Sequence, residues 1–233
     1  MLKYLMHVND FDYNLPPELI AQTPSNPRDH SRLLVYNRLD HTPKTAHFYD
    51  ILDYLKKGDV VVINTTRVMQ ARLKVNGKEV LLIKRISDTK YEVIGKGIKG
   101  TQIMEFTPEQ LATAETPLPH YIHIPLTPEI SARYDTVYAD QQGSAAAPTA
   151  GLHWTPELME RAKAKGITFC EILLHVGLGT FRPVKCDNIE DHQMHAEYYE
   201  VTTGAAKIIN DAKRENRRVI ACGTTSVRTL ESV

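Results

Sequence analysis

Four polar segments in the last third of the chain carry the residue types that acid–base chemistry needs. They are PTAGLHWT (148–155), LLHVGLGTFRPV (173–184), DHQMHAEYYEV (191–201) and RVIACGTTSVRTLES (218–232). Histidine titrates near neutral pH and can take or give a proton at a reacting atom. Buried polar groups cost stability unless they are paired, so a purely structural segment rarely concentrates them so heavily. These segments therefore indicate an active site.

The histidines allow more than one interpretation. His175, His192 and His195 could bind a metal, with Asp191 and Glu197 as further ligands, because His192 and His195 are spaced by one helical turn. However, the residues that follow predict a strand, and no cysteine or second paired motif supports a metal centre. The pattern favours a polar site without a metal, and ordinary hydrogen-bonded histidines remain the third interpretation.

Gly223, Thr224, Thr225 and Ser226 follow an apolar strand and open a predicted helix. Free backbone N–H groups and hydroxyls at such a turn can bind an anion or ribose hydroxyls. A well-capped helix without a ligand explains the same residues equally well. Arg228, one turn further along, favours binding, because a guanidinium suits carboxylate and phosphate groups.

Two other strand ends carry residues that could contact a ligand. Gly177 and Gly179 follow a predicted strand, and glycines there permit either a tight turn or the close approach of a ligand. Asn64 and Arg67 follow another strand, and open α/β sheets bind ligands at the carboxyl ends of their strands. Both pairs are therefore candidate binding residues.

The composition bounds the class of protein. The chain has 233 residues, of which 42% are hydrophobic, and its 28 basic and 28 acidic residues give no global charge that would attract nucleic acid. Three cysteines without a CxxC pair are typical of a reducing compartment. No apolar run is long enough to span a bilayer. We expect a cytoplasmic protein that does not associate with membranes. The sequence leaves the oligomeric state open, with a monomer as the preferred expectation.

The elements that must position these residues follow two different patterns along the chain: a β-rich middle region and flanking regions that mix helices with strands. Short β-rich pieces between about residues 71 and 106 are separated by turn formers, which is typical of a small barrel or sandwich. On either side the pattern mixes helices with buried strands. The sequence therefore predicts an α/β fold: a discontinuous mixed-sheet α/β domain, residues 1–68 and 146–233, interrupted by an inserted small β-barrel-like domain with its linkers, residues 69–145.

Taken together, the segments resemble the S-adenosylmethionine:tRNA ribosyltransferase-isomerases of queuosine biosynthesis. The resemblance rests on the last three segments above and on three earlier ones: DFDYNLPPELIAQTP with RDHSRLLV, GDVVVINTTRVMQARL, and RYDTVYA before GSAAAPTAGLHWT, which contains the first of the four segments. Six separate signatures in one order are far more specific than any single motif. The region of about residues 74–106 is shorter than the family's inserted β-domain, and the chain is expected to lack the family's C-terminal part.

The resemblance implies a reaction and its substrates. Family members transfer and isomerise the ribosyl moiety of S-adenosylmethionine onto 7-aminomethyl-7-deazaguanine at the wobble position of tRNA, giving epoxyqueuosine-tRNA, adenine and methionine. S-adenosylmethionine is then a co-substrate, no metal is required, and the partner is a tRNA with a GUN-type anticodon loop that carries the precursor base. A base removes a C5′ proton, adenine departs, the amine adds, and ring closure expels methionine.

The resemblance also suggests roles for individual residues. His153, His175, His195 and Glu197 are the candidate catalytic acids and bases. The candidate substrate-binding residues are Asp10, Asp12, Asn64, Arg67, Gly177, Gly179, Gly223, Thr224, Thr225, Ser226 and Arg228. Two alternatives stand beside this hypothesis: a truncated, non-catalytic tRNA-binding fragment, and a metal-dependent hydrolase that uses His175, His192 and His195.

Overall fold

A computed structural model describes residues 6–95, 97–177, 184 and 186–233. The strands are β1 (Arg32–Asn37), β2 (Thr42–His47), β3 (Val60–Asn64), β4 (Thr66–Val68), β5 (Arg72–Val75), β6 (Lys78–Arg85), β7 (Lys90–Gly95), β8 (Gln102–Glu105), β9 (Gln141–Ser144), β10 (Thr168–Leu174), β11 (Tyr199–Glu200) and β12 (Val219–Ala221). The α-helices are α1 (Ile51–Tyr54), α2 (Pro108–Ala112), α3 (Pro128–Arg133), α4 (Pro156–Ala164), α5 (Thr203–Arg214) and α6 (Thr224–Leu230).

The central sheet has the strand order β11-β10-β3-β12. Strands β10 and β12 run parallel to β3, and β11 is antiparallel to β10. Every residue of β3 is buried, as its sequence VVVIN predicts for a strand covered on both faces. This sheet and its helices confirm the predicted mixed α/β class.

Successive side chains of β3 point to opposite faces of the central sheet, and they belong to two separate layers of the hydrophobic core. Val61 and Ile63 belong to a cluster with Trp154 and Leu158, which packs α1 and α4 on one face of the sheet. The opposite face carries Val60 and Val62, and α5 covers it with Ala205, Ile209 and Ala212. These layers fix the carboxyl ends of β3 and β10, and residues directly after those ends line the candidate site.

Helices α4 and α5 both begin at a threonine side-chain cap. The hydroxyl of Thr155 accepts a hydrogen bond from the backbone N–H of Leu158, and Thr202 does the same for Ala205. Side-chain caps of this kind satisfy N–H groups that have no partner in the first turn of a helix. Gly166 follows α4 with a φ of 85°, which glycine adopts without strain.

The β-rich region forms an antiparallel sheet with the order β5-β6-β7-β8. Leu73, Val80, Leu82, Val93 and Phe106 form its own core. Within the part of the chain that the structure describes, β5 and β8 lie at opposite edges and the sheet does not close, so the predicted barrel-like closure is not confirmed. The predicted short antiparallel strands are confirmed.

Strands β4 and β9 form a separate parallel pair at the end of β3. Thr66 is the first residue of β4, two positions beyond the Asn64 that ends β3. Gly143 lies in β9, one position before its last residue, Ser144. This pair therefore brings residues from both sides of the β-rich region to the end of β10.

Some predicted elements are shorter than their sequence patterns suggest. Residues 17–22 have the pattern of a short helix but form a single 3-10 turn, Pro17–Leu19, because prolines on both sides, Pro16 and Pro24, limit its growth. The strand predicted over residues 197–201 is limited to Tyr199–Glu200. No helix among the described residues is long and apolar enough to cross a membrane.

Candidate active site

The larger cavity has a volume of about 860 Å³ and lies between the antiparallel sheet and the end of β10. One wall comes from β6 and β7 and includes Lys84, Arg85 and Tyr91. The opposite wall includes residues that follow β10 and residues that precede β11, with His175, Gly177, His195, Glu197 and Tyr198 among them. Two of the histidines predicted to be catalytic therefore share one cavity.

His175 is held in place on several sides. Its Nδ1 atom lies 2.7 Å from the hydroxyl oxygen of Thr66, a fully buried residue. Its ring stacks on Tyr198 with 5.8 Å between centroids and a 24° interplanar angle. The Cα of Gly143 is so close that an added Cβ would lie 2.6 Å from the Cε1 and Nε2 ring atoms. The imidazole is therefore fixed in one orientation, with Nδ1 already engaged.

Burial lowers the pKa of His175 below its ordinary value, because the charged imidazolium loses solvation. A lowered pKa keeps the ring neutral at neutral pH. A neutral imidazole can accept a proton, which is the requirement for a general base.

Glu197 lies among a second set of contacting residues at the larger cavity, with Gly177, His195 and Arg228. Its side chain is only 5% exposed, yet its carboxylate has a cation beside it: Nη1 of Arg228 donates to Oε2 at 2.6 Å. The other oxygen, Oε1, accepts the backbone N–H of Gly177 at 2.7 Å and lies 3.2 Å from Nε2 of His195. Both carboxylate oxygens of Glu197 therefore have partners, and Arg228, Gly177 and His195 form a cluster around this carboxylate.

The same cluster sets the tautomer of His195. An ionised carboxylate only accepts hydrogen bonds, so the proton of the neutral ring resides on Nε2, which faces Glu197. The free lone pair is then on Nδ1. Arg228 also donates to the backbone carbonyl of His195 and thereby fixes the segment that carries it. His195 is therefore held in one orientation by Glu197, which contacts its ring, and by Arg228 of α6, which bonds its backbone carbonyl.

Asn64 contributes to the framework of the cavity. It is fully buried, its amide donates to the carbonyl of Leu174 at 2.9 Å, and its Oδ1 accepts from the N–H of Leu174 at 3.0 Å and of Thr66 at 3.2 Å. These bonds tie the end of β3 to the end of β10 and position Thr66 beside His175. The side chain of Arg67 donates to the carbonyl of Ala139 and does not line the cavity.

His153 occupies a different place from the other candidate histidines. Its Nδ1 atom lies 2.8 Å from the Ser31 hydroxyl, and its ring packs on Phe48 at 5.2 Å between centroids. Burial lowers its pKa, and the nearby Arg28 lowers it further by charge while a hydrogen bond with the Arg28 backbone opposes the shift. His153 lines neither the larger cavity nor a second, smaller cavity that lies beside Gly223 and Thr224.

The N-terminal carboxylates are also remote from the two cavities. The carboxylate of Asp10 accepts the backbone N–H of His7 at 3.0 Å and so caps a 3-10 turn, Val8–Phe11. Asp12 follows that turn and is exposed. Neither residue is among those that line a cavity.

The remaining binding candidates are divided between the two cavities. Gly177 lines the larger one, whereas Gly179 lies outside the described residues. Gly223, Thr224 and Thr225 line a smaller cavity of about 350 Å³.

Ser226 is fully buried within α6, and its hydroxyl donates to the carbonyl of Cys222 at 3.1 Å. This bond connects two positions of the same helical region and leaves the side chain away from both cavities. Arg228 is occupied by Glu197 and His195 instead of facing an open anion site.

Sequence reasoning missed Thr66, Gly143 and Tyr198 as neighbours of His175. Thr66 belongs to the NTTRV segment that already gave Asn64 and Arg67, so its position after a buried strand was a usable signal. Nothing local in the sequence marks Gly143, because its role depends on a contact with a residue far along the chain.

The metal interpretation requires His175, His192 and His195 to converge. In the described part of the chain, no group of three or more histidine, cysteine, aspartate or glutamate side chains is arranged to hold a metal ion. Only His175 and His195 of the three line the larger cavity.

Comparisons with known proteins agree on one family. A family model described as "Queuosine biosynthesis protein" matches residues 8–233. Relatives from Thermotoga petrophila and Thermotoga maritima, both named S-adenosylmethionine:tRNA ribosyltransferase-isomerase, are 42% identical to the chain, and the match covers 98% of the chain and 77% of each relative. The alignment spans 263 positions, more than the 233 residues of the chain, so these relatives contain residues within the matched region that the chain lacks.

A solved structure is also similar. The crystal structure of the S-adenosylmethionine tRNA ribosyltransferase from Thermotoga maritima matches with a TM-score of 0.51 and 29% sequence identity. The match covers 96% of this chain and 72% of that one.

Proposed function

Because the chain belongs to the queuosine biosynthesis protein family, we propose that its larger cavity is the place where an S-adenosylmethionine:tRNA ribosyltransferase-isomerase reaction occurs. The chain is an S-adenosylmethionine-dependent tRNA-modifying enzyme of that class. The single observation that carries the placement is that His175 and His195 line one cavity whose opposite wall carries Lys84 and Arg85. Acid–base groups and phosphate-binding groups thus surround one space.

The reaction requires three proton transfers. The sulfonium of S-adenosylmethionine acidifies the C5′ protons of its ribose, a base removes one of them, and the protonated base can return that proton to the adenine that departs. The amine of 7-aminomethyl-7-deazaguanine then adds and loses a proton, and ring closure expels methionine and gives epoxyqueuosine in the tRNA. Each transfer needs a group with a pKa near the working pH.

His175 is the proposed base for the C5′ proton. Its partly buried ring is neutral at neutral pH, and Thr66, Tyr198 and Gly143 hold it in one orientation. Its Nε2 has no protein partner among the described residues, so a substrate hydrogen can be presented to that atom. Fixed orientation matters because proton transfer requires the donor and acceptor to be within hydrogen-bond reach.

His195 is the proposed acceptor of the amine proton. Its Nδ1 lone pair is available because Nε2 faces Glu197. The carboxylate stabilises the imidazolium that forms, as the acid of a catalytic triad does for its histidine. Glu197 and Arg228 are then positioning residues, since Arg228 bonds the Glu197 carboxylate and the His195 carbonyl, and Glu197 in turn contacts the His195 ring.

The antiparallel sheet provides the proposed contact with tRNA. Lys84 and Arg85 lie on the wall opposite the histidines, and both side chains are substantially exposed. A base that is turned out of the anticodon loop would enter the cavity while these cations meet the adjacent phosphates. The division into residues 1–68 with 146–233 and an inserted unit of residues 69–145 fits this arrangement and stays a proposal.

The deciding experiment supplies the protein with S-adenosylmethionine and tRNA that carries 7-aminomethyl-7-deazaguanine. Digestion and mass spectrometry of the nucleosides should show epoxyqueuosine, with adenine and methionine released. His175→Ala and His195→Ala should each lower turnover by at least about 100-fold, the usual scale of a lost general base. His192→Ala is the matched control, because His192 lines neither cavity, and it should keep turnover.

Three results would contradict the proposal. A tRNA-binding fragment would bind the substrate tRNA and give no product. A metal-dependent hydrolase would lose activity with the His192→Ala variant and on treatment with a chelator. Full turnover in both His175→Ala and His195→Ala would refute the assignment of these two bases.

A further inference from the structure

The smaller cavity adjoins the larger one, because Val176 lines both. Its volume of about 350 Å³ is near the lower end of the range of about 300–1,000 Å³ that is typical of small-molecule sites. It can hold one ring system and not a whole nucleoside with its amino-acid portion. The larger cavity, at about 860 Å³, has room for the remainder of such a substrate.

The two cavities differ in charge. Among the described residues that line the smaller cavity, none is lysine, arginine, aspartate or glutamate. Its walls combine aromatic and apolar side chains, Tyr121, Tyr134, Ala146, Ala147 and Pro148 among them, with His120 and three threonines. A charged ligand would lose its solvation there without a counter-ion, so the smaller cavity favours a neutral ligand.

Two residues that line the smaller cavity, Tyr134 and Thr225, each carry a buried hydroxyl that has no hydrogen-bond partner among the described residues. The side chain of Tyr134 is buried, with the residue 8% exposed, and its hydroxyl makes no hydrogen bond of normal geometry, although the backbone of Ala147 is near. The buried hydroxyl oxygen of Thr225 is also unpaired. Burial raises the pKa of Tyr134 to about 12, so its hydroxyl remains a donor. An unpaired buried hydroxyl costs stability, and a ligand that accepts its hydrogen bond would remove that cost.

We propose that the smaller cavity binds the adenine base of S-adenosylmethionine, with the Tyr134 hydroxyl donating to a ring nitrogen. This inference rests on the proposed function, since that reaction has an adenine to bind and to release. Adenine is flat and neutral and carries several ring acceptors, which fits the aromatic walls and the unpaired donors. Methionine has a carboxylate and an ammonium, so the charged larger cavity suits it better. The ribose would then pass Val176, which directly follows His175 in the chain.

Equilibrium binding of free adenine tests the placement without requiring turnover. Tyr134→Phe removes only the hydroxyl and should weaken adenine binding about 3- to 10-fold, the effect of one net hydrogen bond. Thr149→Trp adds bulk at an exposed position of the cavity wall and should abolish measurable adenine binding. Binding of L-methionine should be unchanged in both variants. Tyr138→Phe is the matched control, because Tyr138 is a partly buried tyrosine that packs against the core and does not line this cavity.

Unfolding of the free protein gives a second, independent readout. Because the Tyr134 hydroxyl is unpaired, Tyr134→Phe should leave the urea midpoint unchanged or raise it, whereas a hydroxyl bonded within the protein would make the same substitution destabilising. A lowered midpoint, adenine binding that both variants retain, or no adenine binding by the unmodified chain would each overturn the inference.

The failure of the inference is distinguishable from failure of the proposed function. If the protein forms epoxyqueuosine but the Tyr134→Phe and Thr149→Trp substitutions leave adenine binding unchanged, only the assignment of adenine to the smaller cavity is refuted. Adenine binding that depends on both residues, without any modified nucleoside, would support the cavity assignment and reject the reaction.

Discussion

Arg228 and Glu197 form an ion pair with 2.6 Å between Nη1 and Oε2, although the two residues are 31 positions apart in the chain. The pair connects α6 to the wall of the larger cavity, because Glu197 also contacts Gly177 and His195. An arginine that lies one turn from a glycine–threonine turn resembles a free anion-binding group in sequence. In the structure its guanidinium is already used to orient a histidine.

Arg228→Ala should destabilise the protein because it leaves the buried Glu197 carboxylate without its cation. Breaking a fully buried pair costs about 3–5 kcal/mol, and the partial exposure of Arg228, at 30%, reduces the expected loss to about 1–3 kcal/mol. Urea unfolding measures the change. Adding Glu197→Gln in the same chain should recover part of the loss, because the uncompensated charge is then gone.

Arg214→Ala is the control for Arg228→Ala, because Arg214 is 77% exposed in its pair with Asp211 and should contribute less than about 0.5 kcal/mol. Kinetics separate two roles for Arg228. A positioning role lowers kcat and leaves KM for S-adenosylmethionine nearly unchanged, whereas direct binding of the methionine carboxylate would raise KM.

The lowered pKa of His175 predicts the acidic limb of the activity profile. A base with a pKa below the ordinary value of 6.5 stays neutral as the pH falls past 6.5, so kcat/KM should decline only at more acidic pH. Thr66→Val, which keeps shape and removes the hydrogen bond to Nδ1, should lower kcat about 2- to 12-fold. An unchanged kcat in this variant would show that the Thr66 hydroxyl does not orient the base.

The same shift contributes to stability with a defined sign. The folded chain binds fewer protons at His175 than the unfolded chain does, so this contribution is fully present above the unfolded pKa near 6.5 and is lost as the pH falls through the lowered folded pKa. Unfolding free energies of His175→Gln should therefore fall less steeply than those of the unmodified chain below pH 6.5. An equally steep fall would contradict the burial-based shift.

Local sequence signals predicted most of the secondary structure. The run of β-branched residues in β3, and the threonine caps of α4 and α5, correspond to the observed elements because each depends on neighbours in the chain. The strand predicted over residues 197–201 is limited to Tyr199–Glu200, the two residues that pair with the last two residues of β10. Strand pairing depends on the partner strand, which local propensity does not contain.

The candidate site was only partly predictable for the same reason. His175 and His195 stood out as titratable residues after or near strands, and the structure brings both to one cavity. His153 lies in an equally polar motif, but its hydrogen bond with Ser31 joins residues 122 positions apart and directs it elsewhere. Which histidines converge depends on long-range packing that periodicity does not contain.

Gly143→Ala should impair catalysis by displacing the His175 ring. The added Cβ would lie 2.6 Å from ring atoms that cannot easily move, since Thr66 and Tyr198 hold the imidazole. We expect kcat to fall roughly 100-fold, as for a misplaced catalytic group.

The matched control for Gly143→Ala is Gly204→Ala in α5, where the nearest atom to the new Cβ is a side-chain oxygen at 3.8 Å. That change should leave kcat intact and stabilise the helix by about 0.5–1 kcal/mol. Full activity in Gly143→Ala would show that the observed ring position is not required.

Lys84 and Arg85 should contact tRNA phosphates if the substrate base enters between the antiparallel sheet and the histidines. Each neutralised phosphate adds about 0.7–0.9 to the slope of log K against log salt concentration. Replacing both residues by glutamine should therefore weaken tRNA binding at low salt and flatten the slope by about 0.7 or more for each phosphate that is no longer neutralised. A titration of tRNA binding across salt concentrations measures both quantities.

The control replaces Lys207 and Arg214 by glutamine, which removes the same charge from α5, where both residues pair with Asp211 away from the cavity. If the two double variants give equal slopes, the sheet does not bind the tRNA phosphates, and the effect of Lys84 and Arg85 is only one of net charge.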